Sequence, residues 1–292
     1  MSLLSSPQGT PERVWSLVAG LSALGGSSQR GAYDDLLNPG FLRDGSEVKA
    51  LATLAADAHT AALSLGLVQS GRDQVSLTAS LPSDFADFAD LVHDRLAALD
   101  ADGADTAILQ GYAWITAESD RQGGVEWIYQ TGRDAFADQA NSGLSGKEMN
   151  TTRLPAWRRW LAFLGLGVTM PHDRNAPDFP SPAARMFREI KRCEMGAGAQ
   201  LAAGEFISLL ARRMPYLDQG RLFNQACKRI SHASSGARLS PLLSLALREL
   251  HDDQSIQLIP SGDAAQRVRL TEDAAHPIDA FTTVTLFPGV HA

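Results

Sequence analysis

The chain has 292 residues, of which 44% are hydrophobic, so it is long enough to bury a core and to divide into two or three compact units. A net charge of −7 argues against a uniformly basic nucleic-acid-binding protein, and two cysteines are too few for a disulfide framework. No apolar run is long enough to span a membrane, and the first residues lack the basic and apolar regions of a signal peptide. We therefore expect a cytoplasmic protein with no membrane partner.

The charge is distributed unevenly. Residues 1–140 contain 8 Lys and Arg against 19 Asp and Glu, a balance of −11, whereas residues 141–292 contain 18 against 14, a balance of +4. Within residues 147–238 the balance is 15 against 7, or +8. Such asymmetry indicates an anionic partner for the basic part of the chain. A basic face that helps the two halves dock is the alternative.

The N-terminal region predicts three helices. Thr10 can cap and Pro11 can open the first, whose apolar residues recur with helical spacing until the Gly25-Gly26 pair. A short helix follows around Tyr33–Leu37. Ser46 can then cap a helix that ends at Gly66.

After Gly66 the apolar period changes from that of a helix to that of a strand. The segment "LVQSGRDQVSLT" predicts a strand, a tight turn and a second strand. Three helices followed by a β-hairpin is the order of a winged helix, so residues 1–82 are predicted to be an N-terminal winged-helix module. The Ala- and Asp-rich residues 83–146 are predicted to be a helical connector.

The same order recurs near the C-terminus. Helical "SPLLSLALREL" is followed by "QSIQLIPSGDAAQRVRLTE", which repeats the Ser-Gly turn, the Asp, the Gln and the Val-x-Leu-Thr strand of the first hairpin. Residues 196–292 are therefore predicted to be a second winged helix, and residues 147–195 a basic winged-helix-like module. The predicted fold class is mainly α with small β-hairpins, as tandem winged-helix (helix-turn-helix) modules joined by a helical connector.

The segment "RLPAWRRWLAFLGLG" supplies the most specific expectation about a site. On a helical wheel Trp157 and Trp160 share one apolar face, whereas Arg159 lies opposite and Arg158 lies on the flank. The tryptophans are predicted to be core, and the arginines to contact DNA phosphates or base edges. Neighbouring basic residues extend the predicted nucleic-acid-binding set to Lys147, Arg153, Arg185, Arg188, Lys191 and Arg192.

Enzyme motifs are short and degenerate in this sequence. Pro177-Asp178 and Glu189-Ile190-Lys191 match the letters of a PD…ExK nuclease, in which carboxylates hold magnesium. That chemistry needs Glu and Lys on a strand, but the surrounding residues have helical spacing. Phosphate-binding loops and the serine-hydrolase elbow do not occur. We predict no enzymatic activity, no metal and no small-molecule cofactor, with the nuclease as the alternative.

Several segments together resemble a known family. "MSLLSSPQGTPERVWSLVAGL", "LLNPGFL", "LGLV" with the first hairpin, and "GEFISLLARRMPYLDQG" are similar to the small DpdG-type winged-helix proteins. Those are encoded in bacterial gene clusters that insert deazaguanine bases into DNA and restrict foreign DNA. The resemblance implies a setting in DNA modification or antiviral defence, and it carries no catalytic residue over to this chain.

Two functional hypotheses follow from the sequence. In the first, a non-catalytic protein binds double-stranded DNA through the basic middle module and a protein partner through the acidic N-terminal module. In the second, the chain is a structural adaptor in a larger complex, and its winged helices dock only proteins.

Overall fold

The computed structural model describes residues 2–37, 44–46, 52–100, 103, 105–146, 148–168, 179–236, 238–260 and 267–287. Over these residues the chain is mainly helical with small antiparallel sheets, which confirms that part of the predicted fold class. It divides into two compact units, the first from residues 1–106 and 152–164, and the second from residues 107–151 and 165–292. The finer four-module division stays a prediction.

Helices and strands are numbered along the chain. The first unit contains a 3-10 turn at Leu3–Ser5, α1 (Pro11–Ala23), β1 (Ser27–Gln29), α2 (Arg30–Leu37), α3 (Ala52–Ser64), β2 (Val68–Ser70), β3 (Gln74–Leu77), α4 (Phe85–Ala98) and α8 (Leu154–Phe163). The second contains α5 (Ala107–Gln122), α6 (Trp127–Gln130), α7 (Arg133–Gly143), α9 (Ala183–Lys191), β4 (Gln200–Ala202), α10 (Ala203–Arg213), α11 (Arg221–Arg229), α12 (Pro241–Asp252), β5 (Ile256–Ile259), β6 (Val268–Arg269), β7 (Ala280–Phe281) and β8 (Thr283–Leu286).

The predicted N-terminal elements are largely confirmed. Thr10 caps α1 and Pro11 is its first residue, while the apolar face from Val14 to Leu21 is buried. Leu24 is outside this core because it follows the end of the helix, and it is 48% exposed. Strands β2 and β3 form the predicted antiparallel hairpin after α3. The start of the predicted third helix, residues 47–51, lies outside the described residues.

A third strand, not predicted from the sequence, completes the sheet of the first unit. Strand β1 pairs antiparallel with β3, so the strand order is β1-β3-β2. Asp105 fixes the 3-10 turn to the same unit, because its carboxylate accepts the Leu3 backbone N–H at 2.6 Å and the Ser64 hydroxyl at the end of α3. Buried carboxylates with two donors of this kind hold a loop in one position.

Helix α5 is the centre of the second unit. Every residue from Ala107 to Asp120 is buried, and α7, α11 and α12 pack around the helix. A helix that is buried on all sides belongs to a core. The prediction that this region is helical is confirmed, and α5 is a core element rather than only a connection.

The predicted C-terminal hairpin is wrong in its pairing. Strand β5 pairs with β8, whereas β6 pairs with β7, and the larger sheet has the order β4-β8-β5. Strand β8 offers three consecutive buried residues, Val284 to Leu286, while β6 has only a half-buried valine and an exposed arginine. The strand with more apolar surface to bury is therefore the partner of β5.

Asp218 gives the second unit a predicted pH dependence. Its carboxylate accepts hydrogen bonds from the backbone N–H (2.7 Å) and the hydroxyl (2.6 Å) of Ser240, which caps α12. Burial raises the pKa of Asp218 to about 6. Because the folded state then binds the proton more tightly than the unfolded state, this stabilisation is complete below about pH 4 and is lost as the pH rises to about 6.

We expect Asp218→Asn to remove that dependence while preserving the shape of the site. Between about pH 3 and about pH 7 the stability of the wild type relative to the variant should fall by about 3 kcal/mol, measured by urea denaturation at each pH. The matched control is Asp138→Asn, which changes an exposed carboxylate on α7. A wild type and Asp218→Asn variant with parallel stability profiles would contradict the assignment.

Candidate nucleic-acid interface

Helix α8 carries the first group of predicted DNA-binding residues. Pro155 lies in its first turn, where a missing N–H costs no hydrogen bond. Trp157 is 2% exposed and Trp160 is 1% exposed, so the predicted core role of both tryptophans is confirmed. The apolar side of α8 packs on α1 and on the 3-10 turn of the first unit.

Aromatic contacts fix the end of α8. The Phe163 ring is edge-on to Trp160 at a centroid distance of 5.8 Å, and it also contacts Phe85 and Phe88 of α4 at 4.9 and 5.7 Å. Tilted and edge-on ring pairs at these distances stabilise packing beyond their buried area. The apolar side of α8 is thus fixed against α1, α4 and the 3-10 turn, which determines the direction in which its other side points.

The arginines of α8 lie on that other side. Arg159 is exposed and Arg158 is half-buried, as the helical wheel predicts from their positions next to the tryptophans. Arg153, the residue that precedes the helix, is half-buried as well. Three guanidinium groups therefore occur within two turns at the surface of the first unit.

The second group belongs to α9 and the second unit. Lys191 is exposed, and Arg188 and Arg192 are half-buried. Lys147 lies outside the described residues. Because the two groups belong to different units, they are treated as two separate sets of cations.

Arg185 has to be removed from the predicted surface set. Its side chain has no exposed surface, and its Nη2 lies 2.9 Å from Oε1 of Glu189 one turn later on α9. A guanidinium buried in this way cannot reach a phosphate in solution. Its role is an internal ion pair, which stabilises the helix only while the carboxylate partner is present.

Glu189 is a residue whose importance the sequence prediction missed. It is 1% exposed and pairs with Arg185. Its carboxylate also accepts hydrogen bonds from Nη1 of Arg192 at 2.9 Å and from Nη1 of Arg213, on α10, at 3.2 Å. The sequence contains part of this signal, since Arg185, Glu189 and Arg192 have the i, i+4 and i, i+3 spacings of helical ion pairs. Nothing local indicates that Arg213 joins them.

The contacts of Glu189 with arginines concern the nuclease motif as well, because Glu189 is one of its two proposed metal-binding carboxylates. Glu189, Ile190 and Lys191 lie on helix α9, as their spacing predicts, and the Glu189 carboxylate faces three arginines. Carboxylate ligands of magnesium in this class come from a strand. Pro177 and Asp178 lie outside the described residues.

Helices α3 and α12, which directly precede strands β2 and β5, differ from α8 in the charge of their exposed residues. On α3 the exposed positions are Thr53, Ala56 and Leu63, and the last of these is 38% exposed. On α12 they are Glu249 and Asp252. Over the described residues of these two helices, no exposed lysine or arginine is available for phosphate contacts.

Comparison with known proteins gives one result. A family model described as DpdG-like matches residues 1–264. No curated protein and no solved structure matches the chain significantly. Across the residues that the structure describes, no helix is both long and apolar enough to cross a bilayer.

Proposed function

Since the chain belongs to the DpdG-like family, which is associated with DNA-modification gene clusters, we propose that it is a non-catalytic, DNA-associated component of such a system. In this proposal double-stranded DNA binds at α8 and a protein partner binds the acidic N-terminal unit. The observation that carries it is the orientation of α8, whose tryptophans are buried and whose arginines are directed outward. The proposal places the protein in the cytoplasm and includes no catalytic step, metal or small-molecule cofactor.

The winged-helix architecture is part of the proposal. In support, each unit has a helix, a strand, further helices and then more strands: two, β2 and β3, in the first unit and four, β5 to β8, in the second. Both sheets also have the same order, because the last strand lies between the other two in β1-β3-β2 and in β4-β8-β5. On this interpretation β6 and β7 are an insertion within the second wing.

The charges of α8 favour DNA phosphates as its ligand. Arginine donates paired hydrogen bonds to phosphate oxygens, and Arg158 and Arg159 are held on one helix, with Arg153 directly before it. Phosphate contacts of this kind determine the position of a protein on a duplex, and base edges supply any sequence preference. Arg188, Lys191 and Arg192 are proposed as additional contacts from the second unit.

A second candidate function is supported by α3 and α12. In a winged helix the third helix is the usual reader of the major groove, but the described parts of these helices expose neutral or acidic residues. That composition fits protein docking better than phosphate binding. The adaptor hypothesis therefore stands beside the first, and DNA binding by the purified chain distinguishes them.

The test of the first proposal is the double substitution Arg158→Ala/Arg159→Ala. Because each phosphate contact contributes a slope of about −0.9 in log affinity against log salt, losing two contacts should flatten the slope by up to about 2. Affinity for duplex DNA should fall, while the free energy of unfolding should change by no more than about 0.5 kcal/mol per substitution. Fluorescence anisotropy with a labelled duplex over a series of salt concentrations measures the affinity and its salt slope, and urea denaturation measures the free energy of unfolding.

A matched control removes the same charge elsewhere. Arg221→Ala/Lys228→Ala changes two exposed cations on α11 and should retain the wild-type slope. A loss that is equal for all duplex sequences indicates phosphate contacts, and a loss confined to one sequence indicates base contacts. If the α8 variant binds as the wild type does with the same slope, α8 is not the DNA contact. If the wild type binds no DNA, the adaptor function is favoured.

A further inference from the structure

An open cleft in the second unit is formed by α10 and the segment that precedes it. Its volume is ≈ 580 Å³, within the usual range of about 300 to 1,000 Å³ for small-ligand sites. Three apolar side chains line it, namely Met195, Leu201 and Leu209. Its lining also includes the polar side chains of Ser208, Arg212 and Arg213.

Arg212 is the cation with most freedom to bind a ligand. Its side chain is exposed, and within the described part of the chain it makes no hydrogen bond or ion pair. Its neighbour Arg213 donates a hydrogen bond from Nη1 to the Glu189 carboxylate at 3.2 Å. This hydrogen bond fixes the guanidinium of Arg213 through one nitrogen, and the N–H groups on its other nitrogens can donate to a ligand.

The charge around the cleft is not balanced. Arg212 and Arg213 are the cationic residues of its lining, and Glu205 is the acidic one, so the lining has a formal charge of +1. A concave surface with excess positive charge attracts anions.

Cys193 reports this field from inside the cleft. Burial raises the pKa of its thiol, and the Glu189 carboxylate acts in the same direction, while the charges of Arg213, Arg192 and Arg212 lower it. These three guanidinium groups therefore lie close enough to the lining of the cleft to act on the same atom.

From the two arginines and the three apolar side chains of this lining together, we propose that this cleft binds a phosphate-bearing ligand of nucleotide size. The phosphate would lie between Arg212 and Arg213 and accept hydrogen bonds from Ser208. The apolar body, a nucleobase, would lie against Met195, Leu201 and Leu209. A free nucleotide and a nucleotide at the end of a DNA strand offer the same chemistry to this site.

The proposal is separate from DNA binding at α8, because the cleft belongs to the second unit. It is tested with the full chain and three probes, namely inorganic pyrophosphate, AMP and a short duplex with a 5′-phosphate. Calorimetry measures their affinity. The rate of Cys193 alkylation reports occupancy of the cleft, since Cys227 is buried. Sodium sulfate at the same ionic strength is the control for unspecific anion binding.

We expect AMP to bind more tightly than pyrophosphate and to slow alkylation of Cys193, whereas sulfate should do neither. Arg212→Ala should weaken AMP by about tenfold to a hundredfold, the usual effect of losing a charged hydrogen bond. Arg212→Lys should recover part of the affinity because it retains the charge. Lys228→Ala, which removes an exposed cation outside the cleft, should leave AMP binding unchanged.

The three probes separate the sources of the phosphate. Protection by AMP identifies a free nucleotide as sufficient, and protection by the duplex alone identifies a strand end. Either result should persist in the Arg158→Ala/Arg159→Ala variant, so failure at α8 does not affect it. The proposal is overturned if no probe slows alkylation, if sulfate protects as well as AMP does, or if Arg212→Ala and Lys228→Ala have equal effects.

Discussion

Replacing Glu189 with glutamine is expected to lower the free energy of unfolding by about 3 to 5 kcal/mol, because it removes the charge of the carboxylate that pairs with the fully buried Arg185. The amide keeps the shape of the carboxylate, so the loss reports charge rather than packing. Arg192 and Arg213 have side chains that are 31% and 34% exposed, and they can turn partly toward water. Urea denaturation followed by circular dichroism measures the change.

Two further variants isolate the buried charge as the cause. In Arg185→Met/Glu189→Gln neither member of the buried pair is charged, so more than half of the lost stability should return. Glu194→Gln changes an exposed carboxylate just beyond α9 and should alter stability by no more than about 0.5 kcal/mol. A Glu189→Gln protein as stable as Glu194→Gln would show that Arg185 does not depend on this carboxylate.

The elements that sequence reasoning predicts well are those with local causes. Helix α1 follows from a cap, a proline and an apolar face that all lie within Thr10–Leu21. The β2–β3 hairpin follows from alternation on both sides of a tight turn. In both cases the residues that determine the structure are also neighbours in the chain.

The prediction of the C-terminal hairpin is wrong because the pairing there depends on residues that are distant in the chain. The segments "SGRDQVSLT" and "SGDAAQRVRLT" share several letters, but the strand that pairs with β5 is β8, Thr283–Leu286, beyond β6 and β7. Strand pairing depends on the apolar surface that two strands bury together, and similarity to the sequence of another hairpin does not show how much that is. Strand β1 was missed because it has only three residues, none of them hydrophobic.

In the candidate site, too, features with local causes could be predicted and features that depend on distant residues could not. The exposure of Arg159 could be predicted because Trp157 and Trp160 define the buried side of the same helix. The burial of Arg185 could not, because an arginine becomes an internal residue only when a carboxylate and a neighbouring element enclose it. Here that enclosure involves Arg213 on α10, more than twenty residues away in sequence.

Trp160→Ala is expected to lower the free energy of unfolding by about 3 to 5 kcal/mol, as truncation of a buried aromatic side chain does. The indole is 1% exposed and contacts Phe163, so its loss leaves a cavity under α8 that the surrounding rings cannot fill. Trp160→Phe should lose less, and Arg159→Ala, on the exposed side of the same helix, should stay within about 0.5 kcal/mol of the wild type. Urea denaturation of the three variants gives this order. An equally stable Trp160→Ala protein would mean that the aromatic side of α8 is not core; the arginines would then lose the anchor that directs them outward, and the aromatic side itself would become the candidate binding surface.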